Sequence, residues 1–451
     1  MSKRTLSSRS LRSLTDVTVP FPSVRLLASQ VAAAVGGTLV GPDATVDGAS
    51  FDSRALRSGE LFVPLVAERD GHDFIDAACV AGAAAYLTAR APQGGTAIVV
   101  GNTATALMEL AAWARRELDV PVVGITGSVG KTSTKDLVAA ALGATRRVTA
   151  NARSFNNEQG LPVTILGAPE DVEVLVLEMG MRGFGEIALL CGVAAPTIGV
   201  VTSVAGAHTE RVGGIEGVAR AKRELVEALP PSGTAILNAD DHRVAAMAEH
   251  SAAPVVTYGA AGDVRVGDVA LDELARPSFR VESPWGSADV RLAISGAHMA
   301  SNAAAALAVA GVVEGSIECA AAALASARVS AMRMDVRRSP TGAIVVNDAY
   351  NANPDSMRAA LTALAGINSR RRVAILGPMA ELDDAAAGHR QVAAIARELG
   401  IEVIAIGTEL YGSPAVDDPL QALGPVGEGD AVLVKASRVA GLEKIADALL
   451  S

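Results

Sequence analysis

The sequence predicts an α/β fold with a mainly parallel sheet, spread over more than one domain. Three observations carry this reading. Apolar, strand-like runs alternate with helix-like runs from residue 118 onward, as expected of parallel strands joined by crossover helices. Polar residues stand repeatedly just beyond the strand ends, where open α/β sheets hold their ligands. The chain has 451 residues, 50 % of them apolar, enough for about three domains with their own cores. Only 3 % are aromatic, so alanine, valine and leucine must do the packing.

The first 24 residues are basic and serine-rich and lack an apolar h-region. They read as a mobile tail, with no secretory signal expected. Residues 25–115 form a first module and residues 116–328 a second. The second opens on an apolar run from Val120 to Ile125. Thr126-Gly127-Ser128-Val129-Gly130-Lys131-Thr132-Ser133 follows, and then the helix-like Asp136 to Leu142. Strand, glycine loop, Lys-Thr and helix are the parts of a phosphate cradle. N–H groups at the helix start point at the anion, and the helix dipole adds to the attraction. Gly127 and Gly130 let the backbone curl without a Cβ clash. Lys131 is placed to reach the outer phosphates, and the Thr132 hydroxyl to hold Mg²⁺. The loop is a shortened G-x-x-G-K-T form, because Ile125 stands where the general pattern has glycine.

Further strands end in polar groups. Val174 to Leu177 runs into Glu178-Met179-Gly180, and Ile198 to Val201 leads to His208. Near residues 328–340 an alanine-rich helix gives way to an arginine-rich segment, and a fresh strand–helix series begins. This third module, residues 329–451, has Ile344 to Val346 ending in Asn347-Asp348 and Val373 to Leu376 ending in Gly377.

The formal net charge of −10 argues against a nucleic-acid partner, which needs a basic face. Cys79, Cys191 and Cys319 are far apart and show no metal-ligand spacing, as expected in a reducing compartment. No run offers the ~20 clean apolar residues of a membrane span. A soluble cytoplasmic protein, by default a monomer, is expected.

Several strings together resemble the Mur ligase family over nearly everything after the first 24 residues. Asp52-Ser53-Arg54, Gly59 to Val63 and Asp70 to Phe74 are similar to the family's N-terminal module, which holds the UDP-sugar. Thr126 to Thr132 resembles its ATP loop. Asn156-Asn157 to Pro162 resembles a segment facing the sugar-peptide and phosphates. Glu178 and His208 match its metal ligands, alongside Thr132, and Lys222 falls at the lysine that the family carbamylates. Gly296-Ala297-His298 through Asn302 resembles the adenine-side motif. Arg333 and Asp348 fall where the family contacts the nucleotide. Asp348-Ala349-Tyr350-Asn351-Ala352-Asn353-Pro354 discriminates most, since its Asn-Ala-Asn-Pro form points to the member that adds D-alanyl-D-alanine. Asn353, Lys435, Ser437 and Arg438 are the substrate-side matches of the C-terminal module. Pro378 departs from the family, which often has Asp there, as do Ala67 and Ala436 for glycine and Met299 for asparagine.

The resemblance implies a three-domain architecture: a UDP-sugar domain, a P-loop-type ATP domain and a Rossmann-like C-terminal domain that receives the dipeptide. The implied reaction joins D-alanyl-D-alanine to a UDP-N-acetylmuramoyl-tripeptide with ATP and two Mg²⁺ ions. The chemistry has a plain physical need. A carboxylate is a poor electrophile, and transfer of the γ-phosphoryl group gives it a leaving group. Taken alone, some residues keep simpler readings. Lys222 reads as part of a solvated helix face, Glu178 as a cap or surface ion pair, Asn302 as a helix N-cap, and Lys435 and Arg438 as an ordinary charged loop. Competing functions are a sister ligase or folyl-polyglutamate synthase, a P-loop kinase or GTPase, and a non-catalytic nucleotide-binding homologue. The third residue of the tripeptide, L-lysine or meso-diaminopimelate, stays open.

Overall fold

The computed structural model describes residues 25–152, 155–206, 209–380, 382 and 384–451. The expected mobile tail lies outside them. The first module is a five-stranded sheet in the order Thr38–Val40, Ala97–Val99, Ala85–Thr88, Leu61–Phe62, Ala49–Ser50. Its last helix, Thr103–Glu117, starts at Asn102, whose side chain accepts from Thr105 N. That helix runs past the boundary expected at residue 115 and packs on helices Gly160–Leu166 and Glu186–Ala194 of the second module. The two modules therefore share one apolar cluster, which holds Leu61, Leu87 and Leu107 together with Leu175 and Leu177.

The second module is built on the phosphate-loop strand. Val122–Thr126 lies between Val174–Glu178 and Ile198–Val201, with all three parallel. The chain first fills one side of Val122–Thr126 with Val148–Ala150 and Val174–Glu178. It then crosses over and adds Ile198–Val201, Thr234–Asn238 and Val255–Gly259 on the other. Val122–Thr126 is thus a topological switch point, where α/β sheets leave a crevice at the carboxyl ends. Every residue of it and of Val174–Glu178 is buried. Val174 and Val176 face one apolar cluster, and Leu175 and Leu177 the other. Two covered faces explain the unbroken apolar runs in the sequence. Val264–Val266 continues the parallel series, and an antiparallel extension, which the sequence reading did not anticipate, adds Pro277–Ser283, Ala270–Leu271 and Gly286–Arg291 beyond it.

Alanine carries the contact between two helices that matter to the site. Met299–Glu314 lies against Lys131–Leu142, and its residues Ala303 to Ala306, Ala308 and Ala310 are wholly buried. Small side chains let the backbones approach closely. On the far side, Gly311 lies under the Trp285 ring so tightly that a Cβ would collide with it.

The third module has strand order Asp335–Arg338, Ile344–Asn347, Asp430–Lys435, Arg371–Leu376, Glu402–Ala405, with only the first pair antiparallel. Its apolar residues Ile344, Leu361 and Leu376 belong to the cluster that contains Val123 and Val176, so the second and third modules are packed together. The connection passes through Met332 and Met334, which take φ of 61° and 49°. This left-handed conformation is rare for non-glycine residues. Arg333, between them, lines the cavity that separates the modules.

Gly311→Val is expected to lower unfolding stability by about 1–3 kcal/mol, because the added methyls must displace the Trp285 ring. Urea unfolding followed by circular dichroism measures the loss, and an unchanged midpoint would contradict the packing described.

Candidate active site

The site begins where Val122–Thr126 and Val174–Glu178 end side by side. Gly130, with φ of 88°, turns the chain into helix Lys131–Leu142, whose first N–H groups lack intrahelical acceptors. A Cβ on Gly127 would strike the Thr202 hydroxyl, and one on Gly130 would lie 2.9 Å from Asn302 Oδ1. Glycine is therefore required at Gly127 for space as well as backbone angle, and at Gly130 chiefly for its φ. The loop is tied down by its neighbour: Ser128 N donates to Ser203 O at 2.8 Å, and Val129 N to Ser203 Oγ at 3.0 Å. Lys131 Nζ donates to Gly127 O at 2.7 Å, folded over the cradle.

Thr132 and Glu178 meet across the strand ends. Thr132 Oγ1 donates to Glu178 Oε2 at 2.7 Å, and Asn156 Nδ2 donates to Glu178 Oε1 at 2.7 Å. Asn151 Oδ1 fixes the Glu178 backbone N–H at 2.9 Å. Glu178 is only 1 % exposed, so its carboxylate depends on these donors to be tolerated. Ser133 follows Thr132 in the first turn and lines the same cavity.

Lys222 lies on the inner face of helix Ile215–Glu227, 4 % exposed. No carboxylate among the described residues pairs with it. Burial, and secondarily the Lys131 charge, hold its amine well below the ordinary lysine range. The solvated-face reading of Lys222 therefore fails: the helix turns this residue inward and Arg223 outward to Glu227.

The third module supplies the opposite wall of a cavity of about 240 Å³. Arg333 Nη2 donates to Thr132 Oγ1 at 3.1 Å, and its guanidinium stacks 4.1 Å over the Tyr350 ring. Arg333 Nε is buried without a partner, an arrangement that an anion would complete. Asp348 and Lys435 end neighbouring parallel strands and pair at 2.5 Å. Asp348 Oδ1 also accepts from Met334 N at 3.0 Å. Burial draws the Lys435 ammonium below its ordinary range, and Asp348 opposes that pull.

The other expected residues fall in different places. Asn302 lines the cavity but is no N-cap, because the helix starts at Met299 and Asn302 is inside its first turn. Asn353 lines the cavity and also caps helix Pro354–Gly366, accepting from Ser356 N at 2.9 Å. Asn157 Oδ1 accepts from Gly160 N at 2.9 Å, at the start of helix Gly160–Leu166. Ser437 is buried and accepts from Ala380 N at 2.8 Å. Arg438 is not brought to the cavity; it pairs with Glu443 at 2.9 Å. Asp52 and Arg54 pair with each other at 2.8 Å, and Ser53 sits between them in a loop of the first module. That loop abuts the second module through Phe51 and Phe155, whose rings are 5.7 Å apart. His208 lies outside the described residues. Sequence reasoning gave no role to Tyr350, though it sits inside the discriminating string. It gave none to Ser356 either, and it named His298 only within the adenine-side string and Asn351 only within the discriminating one; all three line the cavity.

The sequence profile described as the Mur ligase middle domain matches residues 125–310, and that of the Mur ligase glutamate ligase domain matches residues 332–438. The UDP-N-acetylmuramoyl-tripeptide–D-alanyl-D-alanine ligase of Mycobacterium tuberculosis is 42 % identical over 501 residues, covering 95 % of this chain and 98 % of that protein. This chain belongs to the Mur ligase family. Among solved structures, MurF from Acinetobacter baumannii superimposes with a TM-score of 0.86 at 27 % identity, covering 95 % of this chain and 99 % of that one. The MurF ligase of Thermotoga maritima, solved with ADP, gives a TM-score of 0.79 at 28 % identity, covering 89 % and 96 %. The family's three-domain α/β architecture is therefore that of this Mur ligase.

The Lys222 amine sets a sign for pH dependence. The unfolded lysine keeps its proton to about pH 10.4, and the folded one releases it lower. Between those two values the unfolded state binds more protons, so stability rises with pH. Urea titrations in carbon-dioxide-free buffer should show wild type gaining on Lys222→Met as pH rises from about 7 toward about 10. Parallel curves would show that the amine is not held neutral.

Proposed function

We propose that the interdomain cavity is where this Mur ligase carries out its reaction, with Thr132 and Glu178 as metal-side ligands and Lys131 and Arg333 as phosphate ligands. The chain is an ATP-dependent ligase that joins D-alanyl-D-alanine to a UDP-N-acetylmuramoyl-tripeptide in peptidoglycan synthesis. The observation that carries the assignment of residues is the Thr132–Glu178 contact at 2.7 Å, with Arg333 reaching the same hydroxyl from the other module.

The donor set suits Mg²⁺. Among the described residues no three His, Cys, Asp or Glu side chains gather. Mg²⁺ commonly takes few protein oxygens and completes its shell with water and substrate phosphate. When bound, it supplies charge neutralisation between phosphate oxygens. His208 is a second-ion ligand in the same reading. Lys222 is read as a carbamate: its neutral amine adds CO₂ and releases a proton, which turns a buried neutral group into an anion. Its burial and lowered proton affinity support that step.

The reaction then follows from the walls. Lys131 and the first N–H groups of its helix neutralise the outer phosphates. A carboxylate oxygen of the tripeptide attacks the γ-phosphorus, and ADP leaves. The dipeptide amine attacks the acyl phosphate, loses a proton, and phosphate departs from the tetrahedral intermediate. Packing of the third module over the cavity keeps water from the acyl phosphate. Arg333 and Asp348 hold the nucleotide side, with Asn302 at the adenine. Asn353, Lys435 and Ser437 serve the dipeptide side, Asp52 to Arg54 the UDP-sugar, and Asn156 and Asn157 the peptide arm. We assign the chain to the cytoplasm, where ATP is available, as a monomer that does not bind nucleic acid. No described helix is long and apolar enough to cross a membrane.

Phosphate release should require both the UDP-tripeptide and D-alanyl-D-alanine, and equal stimulation by D-glutamate or L-lysine as sole amine would overturn the assignment. With the tripeptide carboxyl labelled in oxygen-18, one label should appear in the released phosphate. Glu178→Gln should lower kcat by at least about 100-fold. Lys222→Ala should be nearly inactive, and full activity in that variant would remove the carbamate.

A further inference from the structure

We infer that Arg182, with Glu158 and Glu186, reads the distal end of the tripeptide's third residue. The residue that fits carries an ammonium and a carboxylate on one carbon, as diaminopimelate does, rather than the lone ammonium of lysine. The inference rests on the ligase reading above and adds a selectivity to it.

A second cavity, of about 410 Å³, adjoins the first. The two share Asn156, whose amide holds Glu178. Beyond Asn156 the walls carry Glu158, Arg182 and Glu186, and buried Met181 and Leu190 form an apolar part of the lining. Glu186 Oε2 accepts from the Arg182 backbone N–H at 2.7 Å, which fixes the turn from which the arginine projects. The Arg182 guanidinium and the Glu158 carboxylate have no ion-pair partner among the described residues. Among the described residues, one cavity therefore presents an exposed cation and an exposed anion, neither held in an ion pair.

Distance ties this cavity to the chemistry. The reacting carboxyl must lie beside Glu178 and Asn156. A four-carbon side chain on the same residue reaches roughly 5 Å from its Cα, enough to pass Asn156 into the second cavity. Its methylenes lie against the apolar lining, and its end meets the charges. A lysine ammonium pairs with Glu158 or Glu186 and is repelled by Arg182. A diaminopimelate end pairs its ammonium with the glutamates and its carboxylate with the planar arginine fork.

The test is steady-state phosphate release from three UDP-N-acetylmuramoyl-tripeptides, ending in meso-diaminopimelate, L-lysine, or diaminopimelate amidated at the distal carboxyl. Wild type should show a KM for the diaminopimelate form at least about tenfold below the other two. Arg182→Gln should abolish that gap by raising the KM for diaminopimelate and lowering it for lysine. The KM values for ATP and D-alanyl-D-alanine should not move, and Arg182→Lys should keep part of the preference. Equal KM values for the free and amidated forms in wild type would overturn the inference, as would an Arg182→Gln effect of the same size on all three. If none of the three releases phosphate, the ligase reading itself fails.

Discussion

The parallel pairing of Val122–Thr126 with Val174–Glu178 is the constraint on which the rest of the site depends. Its register sets Ile125 opposite Glu178, so the phosphate loop and the carboxylate leave the sheet at one level. The helix that follows the loop then delivers Thr132 to Glu178 within its first turn. A carboxylate this deeply buried is tolerated only with donors on its oxygens. Thr132 and Asn156 supply them, and Asn151 holds the backbone behind. The same contacts that make the carboxylate tolerable also aim it.

The third module repeats this logic with a different pair. Asp348 and Lys435 come from adjacent parallel strands, and their closeness follows from the strand register. A buried pair of this kind gains little stability over apolar residues, whereas losing one partner is costly. Its value here is positional, since Asp348 also holds Met334 N–H next to Arg333. Lys131, Arg333 and Lys435 face the cavity in a chain whose net charge is −10. Glu178 and Asp348 share that lining, which leaves the cations in the majority by one.

Much of this was legible in the sequence. The phosphate loop, the strands ending at Glu178 and Asp348, and the parallel α/β order follow from local patterns: apolar runs, glycines at turns, polar residues at strand ends. The inward turn of Lys222 was not legible from its own neighbours, because Ala-Arg-Ala-Lys-Arg-Glu reads as a charged face. Only the packing of helix Ile215–Glu227 decides which of its charged residues is buried. The alternative reading of Asn302 as a cap fails because the helix already begins at Met299, which the alanines after Asn302 hide in the sequence. The Arg333–Tyr350 stack joins residues from a linker and a strand end, and no spacing rule connects those. The antiparallel extension was missed although Pro277–Ser283 alternates buried and exposed residues along its length, because the reading followed apolar runs and passed over alternating ones.

Trp285, lying over Gly311, has a consequence for how this enzyme can be watched. The chain's two tryptophans are Trp113 and Trp285, one on the helix that joins the first two modules and one in the turn between strands Pro277–Ser283 and Gly286–Arg291, packed on a helix behind the phosphate loop. The third module has none. Tryptophan fluorescence is therefore a two-station reporter of the frame and is silent about the module that walls the cavity. A tryptophan that reports on that module's position has to be introduced.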